Sequence, residues 1–191
     1  MNLSAYQRFV IGYHGCDAEV ADAAVHAGTP LAPSVNDYDW LGAGVYFWEY
    51  GPDRALEWAT KKKRKGEIEE PAVVGALIHL GNCFDLLDTH HTGFLGDAFA
   101  EFRGILSGEG KAIPENSGGP DQLRRERDCA LINWLMERFE SEGSPFQSVR
   151  GIFAEGPPAF EGSGIRLKSH IQIAVRHPSC ILGYFRPSSL P

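Results

Sequence analysis

Trp40-Leu41-Gly42-Ala43-Gly44-Val45-Tyr46-Phe47-Trp48-Glu49 decides how this chain reads. Gly42 and Gly44 permit positive φ and let another group come close to the backbone. Val45 to Trp48 is β-branched and aromatic, the composition of a buried strand. Gly51-Pro52 then breaks the strand. Pro52 suits the first turn of a helix and Asp53 its positive end, so a helix runs on from Arg54 to Lys65. A glycine bend delivers a strand, and the strand delivers a helix. This order excludes the dinucleotide-binding βαβ turn. G-x-G-x-x-G needs its third glycine where Phe47 stands, and it needs the glycines after a strand rather than before one.

Upstream, Arg8 to Tyr13 is a short apolar strand that ends in His14-Gly15-Cys16. Asp17 is a good N-cap, and the helix Ala18 to Ala27 closes at Gly28. Thr29 to Asp39, with two prolines, Asn36 and two aspartates, is a loop leading into the central stretch. Downstream, Glu67 to Pro71 is an acidic linker, Ala72 to Leu80 a strand, and Cys83 to Leu87 a further short segment. Leu95, Ala98, Phe99, Phe102, Ile105 and Leu106 recur at helical spacing. So do Leu123, Ala130, Leu131, Trp134, Leu135 and Phe139, and both stripes are core faces. Strands return at Val149 to Ala154, Ile165 to Val175 and Ile181 to Phe185. Along Ile165 to Val175, His170 and Gln172 share one face, roughly 6–7 Å apart by the period of two, and Ile171, Ile173 and Val175 share the other. Strands, then helices, then strands predict a single α+β domain over 1–191 with a mainly antiparallel sheet.

The chain has 191 residues, 43% hydrophobic and 23% charged, and a net charge of -7. The acidic balance argues against a general grip on nucleic acid or anionic membrane. The basic run Lys61 to Lys65 reads as a solvated helix face. Four scattered cysteines without a CxxC pair predict no zinc, and free thiols in a reducing cytoplasm. No apolar run approaches membrane-spanning length, so no membrane partner is expected.

Tyr13-His14-Gly15, Gly42-Ala43-Gly44-Val45-Tyr46-Phe47 and Gln172 at a late strand together resemble the diphtheria-toxin-like branch of ADP-ribosyltransferases, which includes the poly(ADP-ribose) polymerases. That branch carries a His, Tyr, Glu triad in this order. The resemblance covers the succession of elements. Its most specific part is the glycine-Tyr stretch with Ala55-Leu56-Glu57-Trp58-Ala59 after it. It implies a split antiparallel β-sandwich with peripheral helices, and NAD as substrate without a metal. It implies that His14 binds the adenosine-side ribose, that the backbone of Gly15 reads the nicotinamide carboxamide, and that Tyr46 stacks on the nicotinamide with Trp58 closing the other side. Gly44 and Phe47 belong to the same site. On this basis Gly15→Val should block the backbone with little loss of helix content. Pro33 to Asp39, with Trp40, corresponds to the loop covering the dinucleotide, and Glu155 to Ser169 to the loop meeting the acceptor, with Arg166 and Lys168 guiding it.

The third residue departs from the family: Gln172 stands where Glu is usual. A glutamine hydrogen-bonds a ribose hydroxyl but brings no charge and cannot take a proton. Polymer synthesis is therefore disfavoured. The expected function is mono-ADP-ribosyl transfer to a protein or nucleic-acid acceptor by a toxin or defence effector, with an antitoxin as a further expected partner. A non-catalytic NAD-binding module and an NAD glycohydrolase are the alternatives. His170, the nearest titratable group on the face of Gln172, is either the base for the acceptor or a structural cap of the strand.

Overall fold

Alternation along Val45–Glu49, strand β2, sorts its side chains between two faces. Val45 and Phe47 enter one core, while Tyr46 and Trp48 turn to the other side. The computed structural model describes residues 8–188 and builds a mixed α+β fold around this strand. Ahead of it come β1 (Phe9–Asp17) and α1 (Ala18–Ala27). After it come α2 (Pro52–Arg64), β3 (Pro71–His79), β4 (Cys83–Asp85), the single turn α3 (Thr89–Thr92), α4 (Leu95–Gly108) and α5 (Glu126–Ser141). The chain closes with β5 (Ser148–Phe153), β6 (His170–Val175) and β7 (Ile181–Phe185).

The seven strands form one sheet in the order β4-β5-β6-β2-β1-β3-β7, antiparallel throughout except for β4 beside β5. One face joins Phe47, Val74, Ile78, Ile173 and Val175 under Ala21 and Ala24 of α1. The other packs Phe84, Val149 and Ala174 under Ala98 of α4 and Ile132, Leu135 and Met136 of α5. Phe47 and Ile173 are fully buried, each contributing about 1.5–3 kcal/mol relative to exposure. Local signals act as read. Asp17 accepts from the Glu19 amide, and Gly28 closes α1 at φ 66°. Pro52 opens α2.

The register holds the feature that matters for the site. β1 pairs with β3 along its whole length, from Phe9↔His79 to Asp17↔Pro71. It meets β2 only at Gly12↔Glu49 and Tyr13↔Trp48. Beyond Tyr13 the two strands part.

Two expectations are corrected. The strand expected from Ile165 begins only at His170. Its neighbours end there, with Phe153 of β5 opposite His170 and Trp48 of β2 opposite Gln172, so earlier residues would have no ladder to join. Residues 155–169 loop out instead, with Ile165 and Leu167 exposed. The second helical stripe begins at Glu126, leaving Leu123 in the preceding loop, where its carbonyl accepts from the Trp40 indole at 3.0 Å. The four cysteines are free and buried. No helix among the described residues is long and apolar enough to cross a membrane.

Candidate functional site

A crevice of roughly 780 Å³ lies where β1 and β2 part, and His14, Tyr46, Trp58 and Gln172 all line it. The backbone explains why it opens there. In an antiparallel ladder the N–H and C=O of one residue point to the same side, and successive residues alternate. The Ile11 carbonyl accepts from the Tyr50 amide across to β2, so Ile11, Tyr13 and Gly15 face β2. The next bonded pair would be Gly15 with Tyr46. Instead the His14 ring takes its place, with Nδ1 2.7 Å from the Tyr46 carbonyl. Gly15 is thus left without a ladder partner on β2. Burial is the main influence on His14 and lowers its pKa, so the imidazole is neutral near pH 7. Nδ1–H donates to Tyr46, and Nε2 is left as an acceptor.

Tyr46 lines the crevice with its ring, while its hydroxyl is committed elsewhere. That hydroxyl donates to the Gly42 carbonyl at 2.7 Å and accepts from the Leu41 amide at 2.8 Å. It therefore ties down the glycine turn, whose Gly42 has φ 75°. Burial raises the pKa of the phenol well above its usual value. Trp58, on α2, is 37% exposed and lies 6.2 Å from the Trp48 ring, with Nζ of Lys61 and Lys62 over it at 5.5 and 5.9 Å.

Gln172 and His170 share a face of β6, and the contact is direct. The Gln172 amide nitrogen lies 2.9 Å from His170 Nε2. The His170 ring is 4% exposed and packs near Trp40, Phe153 and Trp48. Its Nδ1 lies 2.7 Å from the Lys168 carbonyl, so Nδ1 carries the proton and donates. Burial, ahead of the other influences, lowers its pKa and keeps the ring neutral. Nε2 is then an acceptor, which fixes the glutamine. Its NH₂ donates to His170, and its Oε1 is the atom turned to other partners.

The outer wall comes from the loop after α1, including Pro33, Val35, Asn36 and Asp39, and from Trp40. Lys61, Lys62 and Lys65 line the opposite rim, so part of the lysine run faces the crevice rather than only solvent. Among the described residues, the buried side-chain polar atoms without a hydrogen-bond partner are Asp39 Oδ2, Trp48 Nε1 and Arg54 Nε. All three residues line this crevice. Buried polar groups are otherwise paired almost without exception, so three hydrogen-bonding atoms of the crevice residues are left without a protein partner. In the loop of residues 155–169, Arg166 pairs with Asp121 and Lys168 with Glu57. The loop instead exposes Phe160, Ile165 and Leu167.

Four sequence-predicted site residues do not line the crevice: His170, behind Gln172 with both ring nitrogens engaged, and Phe47, Gly44 and Gly15. Phe47 is fully buried on the opposite face of β2, with its ring 5.8 Å from His14, so it supports that histidine and cannot touch a ligand. Gly44 lies against β6, where a Cβ would come 2.9 Å from the Val175 carbonyl oxygen. The Cα of Gly15 presses on α2, and a Cβ would sit 2.1 Å from the Ala55 carbonyl oxygen. Gly15→Val would therefore displace α2, against the expectation of intact helices. Sequence reasoning placed Asp39 and Glu155 only as ends of loops and missed Trp48 and Arg54. Trp48 had a signal, since the period of two that puts Tyr46 on the crevice face puts Trp48 there too.

No family model, curated protein or solved structure matches this chain. No group of three or more His, Cys, Asp or Glu residues able to hold a metal occurs among the described residues.

Proposed function

We propose that the crevice binds NAD and that the protein transfers a single ADP-ribosyl unit from it to a macromolecular acceptor. The observation that carries this reading is the convergence of His14, Tyr46, Trp58 and Gln172 on one crevice where the pairing of β1 with β2 stops. A primary carboxamide needs one acceptor and one donor side by side, which the backbone of Gly15 would offer on the edge of β1 that no longer pairs with β2. A nicotinamide ring needs an aromatic face, which Tyr46 and Trp58 offer. Ribose hydroxyls need acceptors, which His14 Nε2 and Gln172 Oε1 offer. Lys61, Lys62 and Lys65 suit a diphosphate. The same convergence supports reading the fold as a split antiparallel sandwich of the ADP-ribosyltransferase kind, with β1 and β2 at the split. Holding the ribose rigidly while the bond to nicotinamide breaks is catalysis by positioning.

Arg166 and Lys168 are paired with carboxylates, and the acceptor loop exposes three large apolar side chains. Both facts favour a protein acceptor over a phosphate-rich one. A toxin or defence effector restrained by an antitoxin fits this chemistry. The test is purified protein with labelled NAD, with and without cell lysate or RNA, following nicotinamide release and label transfer. Transfer to macromolecule supports the proposal. Release without transfer would make the protein a glycohydrolase, and calorimetric binding without release an NAD-binding module. A protein that does not bind NAD would overturn the reading of the crevice.

A further inference from the structure

Gln172 leaves the crevice without a charged third residue, yet transfer to a hydroxyl or amine sets a proton free. A carboxylate stands nearby. Glu155, just past the end of β5, lines the same crevice, and its side chain is 18% exposed. Arg54 Nη2 donates to its Oε2 at 2.6 Å. That oxygen also lies 3.9 Å from His170 Nδ1, and the other nitrogen of the same ring holds Gln172. One imidazole thus separates the glutamine from the carboxylate. The crevice's other carboxylates are placed differently. Glu57 is bound by both Arg54 and Lys168. Asp39 sits on the loop after α1 beside Asn36, Asp17 accepts from the Glu19, Glu69 and Glu70 amides, and Glu67 pairs with Lys65.

Building on the transferase reading of this crevice, we propose that Glu155 is the general base for the acceptor, supplying from β5 the carboxylate that β6 lacks. In the step it serves, the bond between ribose C1′ and the nicotinamide nitrogen breaks, and its electron pair leaves with nicotinamide. The acceptor heteroatom donates a lone pair to C1′, and its proton passes to Glu155. A carboxylate suffices for displacement at a sugar carbon through an oxocarbenium-like state, because the attacking group becomes acidic as its bond forms. Glu155 heads the loop that would meet the acceptor, so the base and the acceptor come from the same side. Arg54 is a positioning residue. It fixes one carboxylate oxygen, and only Oε2 is engaged by side chains among the described residues. The groups facing Glu155 are Arg54 and Glu57 of α2, His170 of β6, and Arg125 ahead of α5.

The experiment is Glu155→Gln in the full chain, with NAD affinity by calorimetry and transfer to lysate protein from labelled NAD across pH 4–9. Arg54 keeps Glu57 in this variant, so its charge stays paired. The expected result is NAD affinity within about twofold of the parent, transfer lowered by roughly 10²–10⁴-fold, and loss of the acidic limb of the pH profile. Glu155→Asp should restore part of the rate. Transfer at the parent rate with an unchanged profile overturns the assignment, as does equal loss of NAD binding and transfer. If the parent protein neither binds NAD nor releases nicotinamide, the reading of the crevice falls and this one with it. An active parent with an indifferent Glu155→Gln sinks only the role of Glu155.

Discussion

Gln172→Glu supplies the third residue usual in the ADP-ribosyltransferases that the motifs resemble, and the structure predicts that it harms the protein. His170 Nε2 is an acceptor because Nδ1–H is committed to the Lys168 carbonyl. It receives the Gln172 amide at 2.9 Å. A carboxylate there sets two acceptors against each other and removes the donor. Losing the partner of a buried group costs about 1–3 kcal/mol, or roughly 5- to 150-fold in an equilibrium. The strain is relieved only if His170 takes a second proton, which burial among Trp40, Trp48 and Phe153 opposes. In the variant the carboxylate raises the histidine's folded pKa relative to its value beside Gln172. The deficit should therefore be largest at alkaline pH and shrink as pH falls and His170 charges. Thermal unfolding of both proteins from pH 5 to 9 measures this. Nitrogen NMR of His170 should report a neutral Nδ1–H ring in the parent and a charged ring in the variant at low pH. NAD turnover should not rise. A Gln172→Glu protein as stable as the parent at every pH, with unchanged imidazole nitrogens, would refute the reasoning.

Gly15→Ala should lower stability by about 1–3 kcal/mol or more, the scale of overpacking, because its Cβ meets the backbone of α2 rather than a movable side chain; circular dichroism melting checks this, and an unshifted midpoint would contradict the close contact. Trp58→Ala should weaken NAD binding by roughly 1–3 kcal/mol, one aromatic stack, with little effect on folding, since Trp58 is 37% exposed; calorimetry decides. Parent stability should fall as pH drops below the ordinary histidine value near 6.5. His14 and His170 have folded pKa values lowered by burial, so the unfolded chain takes up protons first, and their contribution is present above that value and lost towards the folded ones. Urea unfolding at pH 5 and 8 tests this, and equal stability at the two would count against neutral buried rings.

The sequence by itself determined the local pieces. Asp17, Gly28 and Pro52 cap or open helices through chemistry confined to a few residues, and each acts where it was read. The period of two put His170 beside Gln172, because pleating is a property of the strand alone. Pairing was beyond local reach. Where β6 begins depends on where β5 and β2 end, which no feature of Ile165 to Ser169 encodes. The motif around Gly44 and Phe47 did not distinguish a residue that lines a crevice from one that supports it from beneath, because that difference lies in burial against other strands. Arg54 and Glu155 are far apart in sequence, and only tertiary structure brings their charges to 2.6 Å. The crevice is likewise a tertiary fact. It exists because β1 keeps β3 to its end while the His14 ring takes the Tyr46 carbonyl from Gly15. That exchange opens the sheet at the point where the chain's polar side chains converge.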